Sequence, residues 1–164
     1  MKIFTIPLVF VVCTTAAAAD DKALTTYRQL TPETAVEITQ AALKACREAG
    51  FQVAVTVVDR MGVAQAMVRD RFAGPHTPET ALRKAWTAVS FRTDTLSMSD
   101  VTKAGSPQAG ARFITNALMI GGGVPVTAAG FIVAGVGVSG APGGAEDDAC
   151  ARAGIAAVEE KLEL

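Results

Sequence analysis

Tryptophan and tyrosine are scarce: the chain has one of each, Trp86 and Tyr27, beside seven phenylalanines. With so few of those two, stacking platforms for nucleobases are not expected. Basic clusters are missing too. Lys plus Arg total 15 against 16 acidic residues, a formal charge of -1, which argues against nucleic acid or an acidic membrane surface as partner. Histidine occurs once, at His76, with no closely spaced cysteine pair to join it, so a protein-only zinc site lacks its ligand set. The N-terminal apolar run, Ile3 to Val12, is too short to span a bilayer.

That run reads instead as an export signal. Lys2 is a minimal positive region, Ile3 to Val12 the apolar segment, and Ala17-Ala18-Ala19 the small-residue cleavage site. Residues 1–19 are therefore expected to be removed, leaving residues 20–164 as one domain in the periplasm or outside the cell. Cys13 raises a lipoprotein alternative, but Val11 and Val12 stand where small residues are needed. Half of all residues are hydrophobic, enough for a core at this length. Cys46 and Cys150 both fall in predicted helices. An oxidising compartment would permit a bridge between them. The favoured reading is two buried thiols packing as small apolar groups.

Thr31-Pro32-Glu33 has the chemistry of a helix start, and Ala35, Ile38, Ala42, Cys46 and Ala49 recur at helical spacing before a stop at Gly50. Phe51 to Val58 and Val63 to Val68 read as a hairpin about the turn Asp59-Arg60-Met61-Gly62. Thr77-Pro78-Glu79-Thr80 repeats the residues at 31–34, which predicts the same capping at a second helix carrying Leu82, Ala85, Trp86 and Val89 on one face. A polar segment, 93–110, offers Ser97 or Ser99 as caps, and 113–120 reads as irregular or a short strand. Strands joined by tight turns, with helices between, imply an antiparallel sheet in an α+β domain.

The last third organises the rest. Val124 to Thr127 and Phe131 to Val138 are strands about Ala128-Ala129-Gly130, and a helix begins near Asp147. The second strand is apolar at nearly every position, so it belongs in the sheet centre with both faces covered. Gly135-Val136-Gly137-Val138-Ser139-Gly140 matches the dinucleotide fingerprint, but its first two glycines lie inside the strand. Pro142 delays the helix, and Glu146, Asp147 and Asp148 in its first turn would repel phosphate. No nucleotide is expected. The glycines read as room for another backbone or a flat ligand.

Three stretches together, 53–63 (VAVTVVDRMGV), 74–91 (GPHTPETALRKAWTAVSF) and 121–154, resemble the GlcG/HbpS family of haem-binding-type domains, also found at the C-terminus of PduO-type proteins. The resemblance runs from about Leu30 to Val158. It implies a profilin-like fold, assembly into homo-oligomers and, in some members, a bound haem or related tetrapyrrole.

Two places suit such a ligand. His76 sits in a Gly-Pro loop before a helix, where an imidazole can reach iron; its alternative role is that of a solvated surface residue. On the following helix, Arg83 and Lys84 suit haem propionates as charged donors, Trp86 a porphyrin edge or the core, and Thr87, by the resemblance, the iron itself. Asp59 has an ordinary turn role, and Ser139 lacks a nucleophile elbow and a spare base. The leading reading is a periplasmic or secreted haem-binding carrier, buffer or accessory sensor, with no membrane insertion. The alternative is an enzyme or binding protein for a small organic acid, using Asp59, Arg69, Lys84 and Arg112 at a cleft between subunits. A third is a structural partner in a larger assembly.

Overall fold

The computed structural model describes Ala23 and residues 25–163; the signal read at residues 1–19 lies outside them. Thr31 caps helix α1 (Pro32–Glu48): its Oγ1 accepts from the Thr34 amide at 3.3 Å, with Pro32 in the first turn. Ile38, Ala42 and Cys46 form the buried stripe of α1, and Gly50 follows it at φ 85°. Strand β1 (Ala54–Asp59) starts later than the β-branched run suggested. The Phe51 amide is spent on the Cys46 carbonyl at 2.8 Å, closing the helix, and is lost to the sheet. The turn into β2 (Ala64–Arg69) is held by Asp59, whose Oδ1 accepts from the amides of Met61 and Val63 at 2.8 and 2.9 Å.

Helix α2 (Thr77–Phe91) does not repeat the capping of α1. The chain is already coiled at His76 (φ -78°, ψ -21°), so His76 is the cap residue and Thr77 falls inside the helix. Its hydroxyl turns back to donate to the Gly74 carbonyl at 2.8 Å, and Thr80 does the same to His76 at 2.9 Å. Helix α3 (Thr95–Val101) is capped by neither Ser97 nor Ser99. Asp94 does it, accepting from the Ser97 amide at 2.8 Å. After a 3-10 turn at Ala109–Phe113 the chain is irregular until β3 (Gly123–Ala128), which meets β4 (Phe131–Ser139) through Ala129 and Gly130, both at positive φ. Helix α4 (Gly144–Ala156) starts three residues before Asp147, because extended Gly143 serves as its cap; α5 (Glu159–Leu162) ends the described chain.

The four strands form one antiparallel sheet in the order β2-β1-β4-β3. This is the α+β architecture expected from the sequence, with β4 inside the sheet as its composition required. Alternation along the strands gives each face its own partner. Val55, Val57, Val126, Val136 and Val138 pack with Ile38, Ala42 and Ala151 of α1 and α4. On the other face, Val58 packs with Ala85 and Val89 of α2.

That second face is paved by missing side chains. A Cβ on Gly137 would stand 1.9 Å from the Ala81 carbonyl oxygen, one on Gly123 2.3 Å from that of Lys84, and one on Gly135 2.8 Å from that of Ala85. Helix α2 lies so close that only hydrogen fits beneath its backbone. Two glycines of the apparent dinucleotide motif are thus taken by a helix backbone, one of the two partners the sequence left open for them.

The two cysteines correct the favoured expectation. Cys46 and Cys150 are bonded, with Cα atoms 5.4 Å apart, and they join α1 to α4 beneath the sheet. Burial and bonding are compatible here: both residues are inside the core, 0% and 5% exposed. Each apolar stripe alone predicted burial; only the antiparallel packing of the two helices brings the sulfurs together.

Candidate functional site

The four site residues read from the sequence share one helix and its cap, yet the fold separates them. His76 and Lys84 contribute to a cavity of about 650 Å³ at the sheet end where α2 and α4 begin. Gly50 to Gln52 wall it after α1, Ser139 to Gly144 before α4, and Phe72 and Ile120 add apolar surface. Gly74 makes room for the histidine: a Cβ there would come within 2.8 Å of the imidazole Cε1. The ring caps no helix amide, and His76 is exposed at the mouth.

Lys84 is the largest fully buried side chain among the described residues, 1% exposed. Its Nζ donates to Asp147 Oδ2 at 2.7 Å and to the Val138 carbonyl at 2.9 Å. The other carboxylate oxygen of Asp147 accepts from the Ala141 amide at 3.0 Å. Glycine closes this pair in, since a Cβ on Gly122 would lie 2.6 Å from the Asp147 Cβ and 3.1 Å from Lys84 Nζ. Burial pushes the Asp147 carboxyl above its usual range, opposed by the Lys84 charge and the donated hydrogen bonds. The cavity floor is therefore a closed ion pair that links α2 on one sheet face to α4 on the other.

Thr87 and Arg83 face the irregular segment 116–118. The Thr87 hydroxyl donates to the Arg83 carbonyl at 2.7 Å and accepts from the Leu118 amide at 2.9 Å. The Arg83 guanidinium donates to the carbonyls of Asn116 and Ala117 at 3.4 and 2.9 Å. Within one chain, then, Thr87 is buried and bonded on both sides, and the charges of Arg83 and Lys84 are engaged by protein. Trp86 is half-buried over the β1–β2 turn, where a Cβ on Gly62 would meet its ring at 2.4 Å.

The set Asp59, Arg69, Lys84 and Arg112 does not gather within one chain. Asp59 holds its turn, Arg69 donates to the Ala73 carbonyl at 2.6 Å, and Arg112 to those of Thr102 and Ser99 at 2.6 and 3.0 Å. Sequence reasoning missed Asp147, which was read only as part of a helix start. A signal was present: Asp147, Cys150, Ala151 and Gly154 follow the spacing of a buried helical stripe, so an acid in that stripe needs a buried cation.

These features define a three-layer α+β domain, with one helix on one sheet face, a disulfide-linked pair on the other, and a cavity where two helices begin. A family model described as haem degrading protein HbpS-like matches residues 30–156, and the chain belongs to this HbpS-like family. A double mutant of HbpS from Streptomyces reticuli is 39% identical, with a TM-score of 0.77 over 87% of this chain and 95% of that one. The crystallised PduOC:heme complex is 29% identical, with a TM-score of 0.73 over 79% of this chain and 94% of that one. The corrinoid adenosyltransferase PduO of Salmonella typhimurium is 32% identical over 125 residues, 74% of this chain. The chain spans only 37% of that protein's length.

Proposed function

We propose that this protein binds haem or a related tetrapyrrole in an oxidising, extracytoplasmic compartment, as a carrier, buffer or accessory sensor. The observation that carries the reading is an exposed imidazole at the mouth of a cavity with apolar patches on its walls, in a chain similar to one crystallised with haem. The residues fit the group: His76 supplies an iron ligand, Gly74 leaves space for its ring, and Phe51, Phe72 and Ile120 offer surfaces for a macrocycle. Bound haem would bring an iron centre able to change oxidation state. Lys84 and Asp147 hold the floor, while Arg83 and Thr87 hold segment 116–118.

Export is supported by the bond between Cys46 and Cys150, because such bonds persist in oxidising compartments. Assembly into a homo-oligomer is supported by large apolar groups left in solvent: Phe113 and Phe131 are 89% and 71% exposed. Haemin titration tests the ligand. The wild type should develop a shifted Soret band, His76→Ala should lose it, and Thr87→Val should keep it. Loss with Thr87→Val and retention with His76→Ala would move the iron to the other end of α2. The spectra are followed over time, since bleaching of the band would replace carriage by degradation.

A further inference from the structure

We infer that the Cys46–Cys150 disulfide positions the walls of the His76 cavity, so that ligand affinity depends on whether this bond is intact. Cys46 lies in the last turn of α1 and accepts through its carbonyl from the Phe51 amide at 2.8 Å. Phe51, with Gly50 and Gln52, forms one wall. Cys150 lies one helical turn beyond Asp147, on the same buried stripe of α4. Asp147 in turn fixes the Ala141 amide of the opposite wall and the Lys84 ammonium of α2. The links are consecutive: the end of α1, the disulfide, α4, the buried ion pair, then α2 and its His76 cap.

Beside the bond the two helices approach closely. A Cβ on Gly154 would lie 2.7 Å from the Ala42 Cβ and 2.8 Å from the Ile38 carbonyl oxygen. Packing this close transmits the position of one helix to the other. A covalent bond at the cavity end of this pair keeps both walls at one separation, and preorganisation of that kind raises affinity without adding a contact to the ligand. By linkage, whatever binds the walls must also oppose opening of the bond.

The binding arm of the test rests on the tetrapyrrole reading, and haemin is the probe; the exchange arm needs no ligand. Cys46→Ala/Cys150→Ala should bind haemin about tenfold more weakly than wild type, a typical coupling factor. Haemin should raise the share of wild type that stays bonded at equilibrium in a glutathione redox buffer. Amide exchange should rise at residues 50–52 and 141–147 in the variant and stay unchanged across Thr95–Val101. Equal haemin affinity together with equal exchange would overturn the inference. If oxidised wild type binds no haemin, the tetrapyrrole reading fails while the exchange comparison still decides whether the bond positions the walls. Should the double variant fail to fold, exchange is measured on wild type before and after reduction. Loss of protection throughout the sheet would then make the bond a global staple and refute its local role.

Discussion

Breaking the Lys84–Asp147 pair from either side should destabilise the fold, and removing the lysine should add a pH dependence. The two groups are 2.7 Å apart, with side chains only 2% and 5% exposed, so removing one strands the other's charge away from water. A broken buried pair costs about 3–5 kcal/mol, a large part of the roughly 5–15 kcal/mol that holds a domain together. In Lys84→Met the stranded carboxyl can take up a proton, which its burial already favours. The folded variant then binds one more proton than the unfolded chain, and its stability falls as pH rises, by up to about 1.4 kcal/mol per unit. In Asp147→Asn an ammonium is left buried without its counter-charge, at a comparable cost. Lys84→Met/Asp147→Leu removes both charges and should recover most of the loss. Urea unfolding at pH 5, 6.5 and 8, with the disulfide intact, reads all three variants. Single-variant losses below about 1 kcal/mol, with no added pH dependence in Lys84→Met, would show that water reaches the pair and refute the reasoning.

Gly137→Ala should destabilise by about 1–3 kcal/mol or more, because its methyl would overlap the Ala81 carbonyl; Gly110→Ala, with nothing within 4 Å, is the control in a thermal melt. Thr87→Val should cost about 1–3 kcal/mol in urea by leaving the Leu118 amide without its acceptor, an expectation that matching unfolding midpoints would contradict. The Arg47 guanidinium, bonded to Asp70, holds that carboxyl down at about 2 from its ordinary 3.8. This contribution is present above pH 3.8 and is lost as pH falls toward 2, so Asp70→Asn should flatten the acid limb of the stability profile. Light scattering should give a mass several times that of one chain, and Phe113→Ser or Phe131→Ser should lower it if those rings lie between subunits.

What the residues determine by themselves is local. The Thr31-Pro32 start, the turn at Asp59, the apolar run that must lie in the sheet centre and the α+β class all follow from neighbouring side chains and their spacing. So does His76 as a reachable imidazole, because a Gly-Pro loop before a helix leaves it at the surface. Repetition in sequence was a poorer guide: the four residues at 77–80 repeat those at 31–34, but the backbone entering them is already helical, which reverses the role of the threonine. Only the tertiary structure decided the partners. Lys84 reads as a charged donor for a ligand on α2 until α4, 63 residues further on, delivers Asp147 to it beneath Gly122. Cys46 and Cys150 read as separate apolar positions until two helices cross at a separation of 104 residues. Charge pairing and disulfide formation depend on distances of a few ångströms between remote segments, and local propensity carries no information about those distances. They are set when the whole sheet closes and α2 and α4 settle on opposite faces of it.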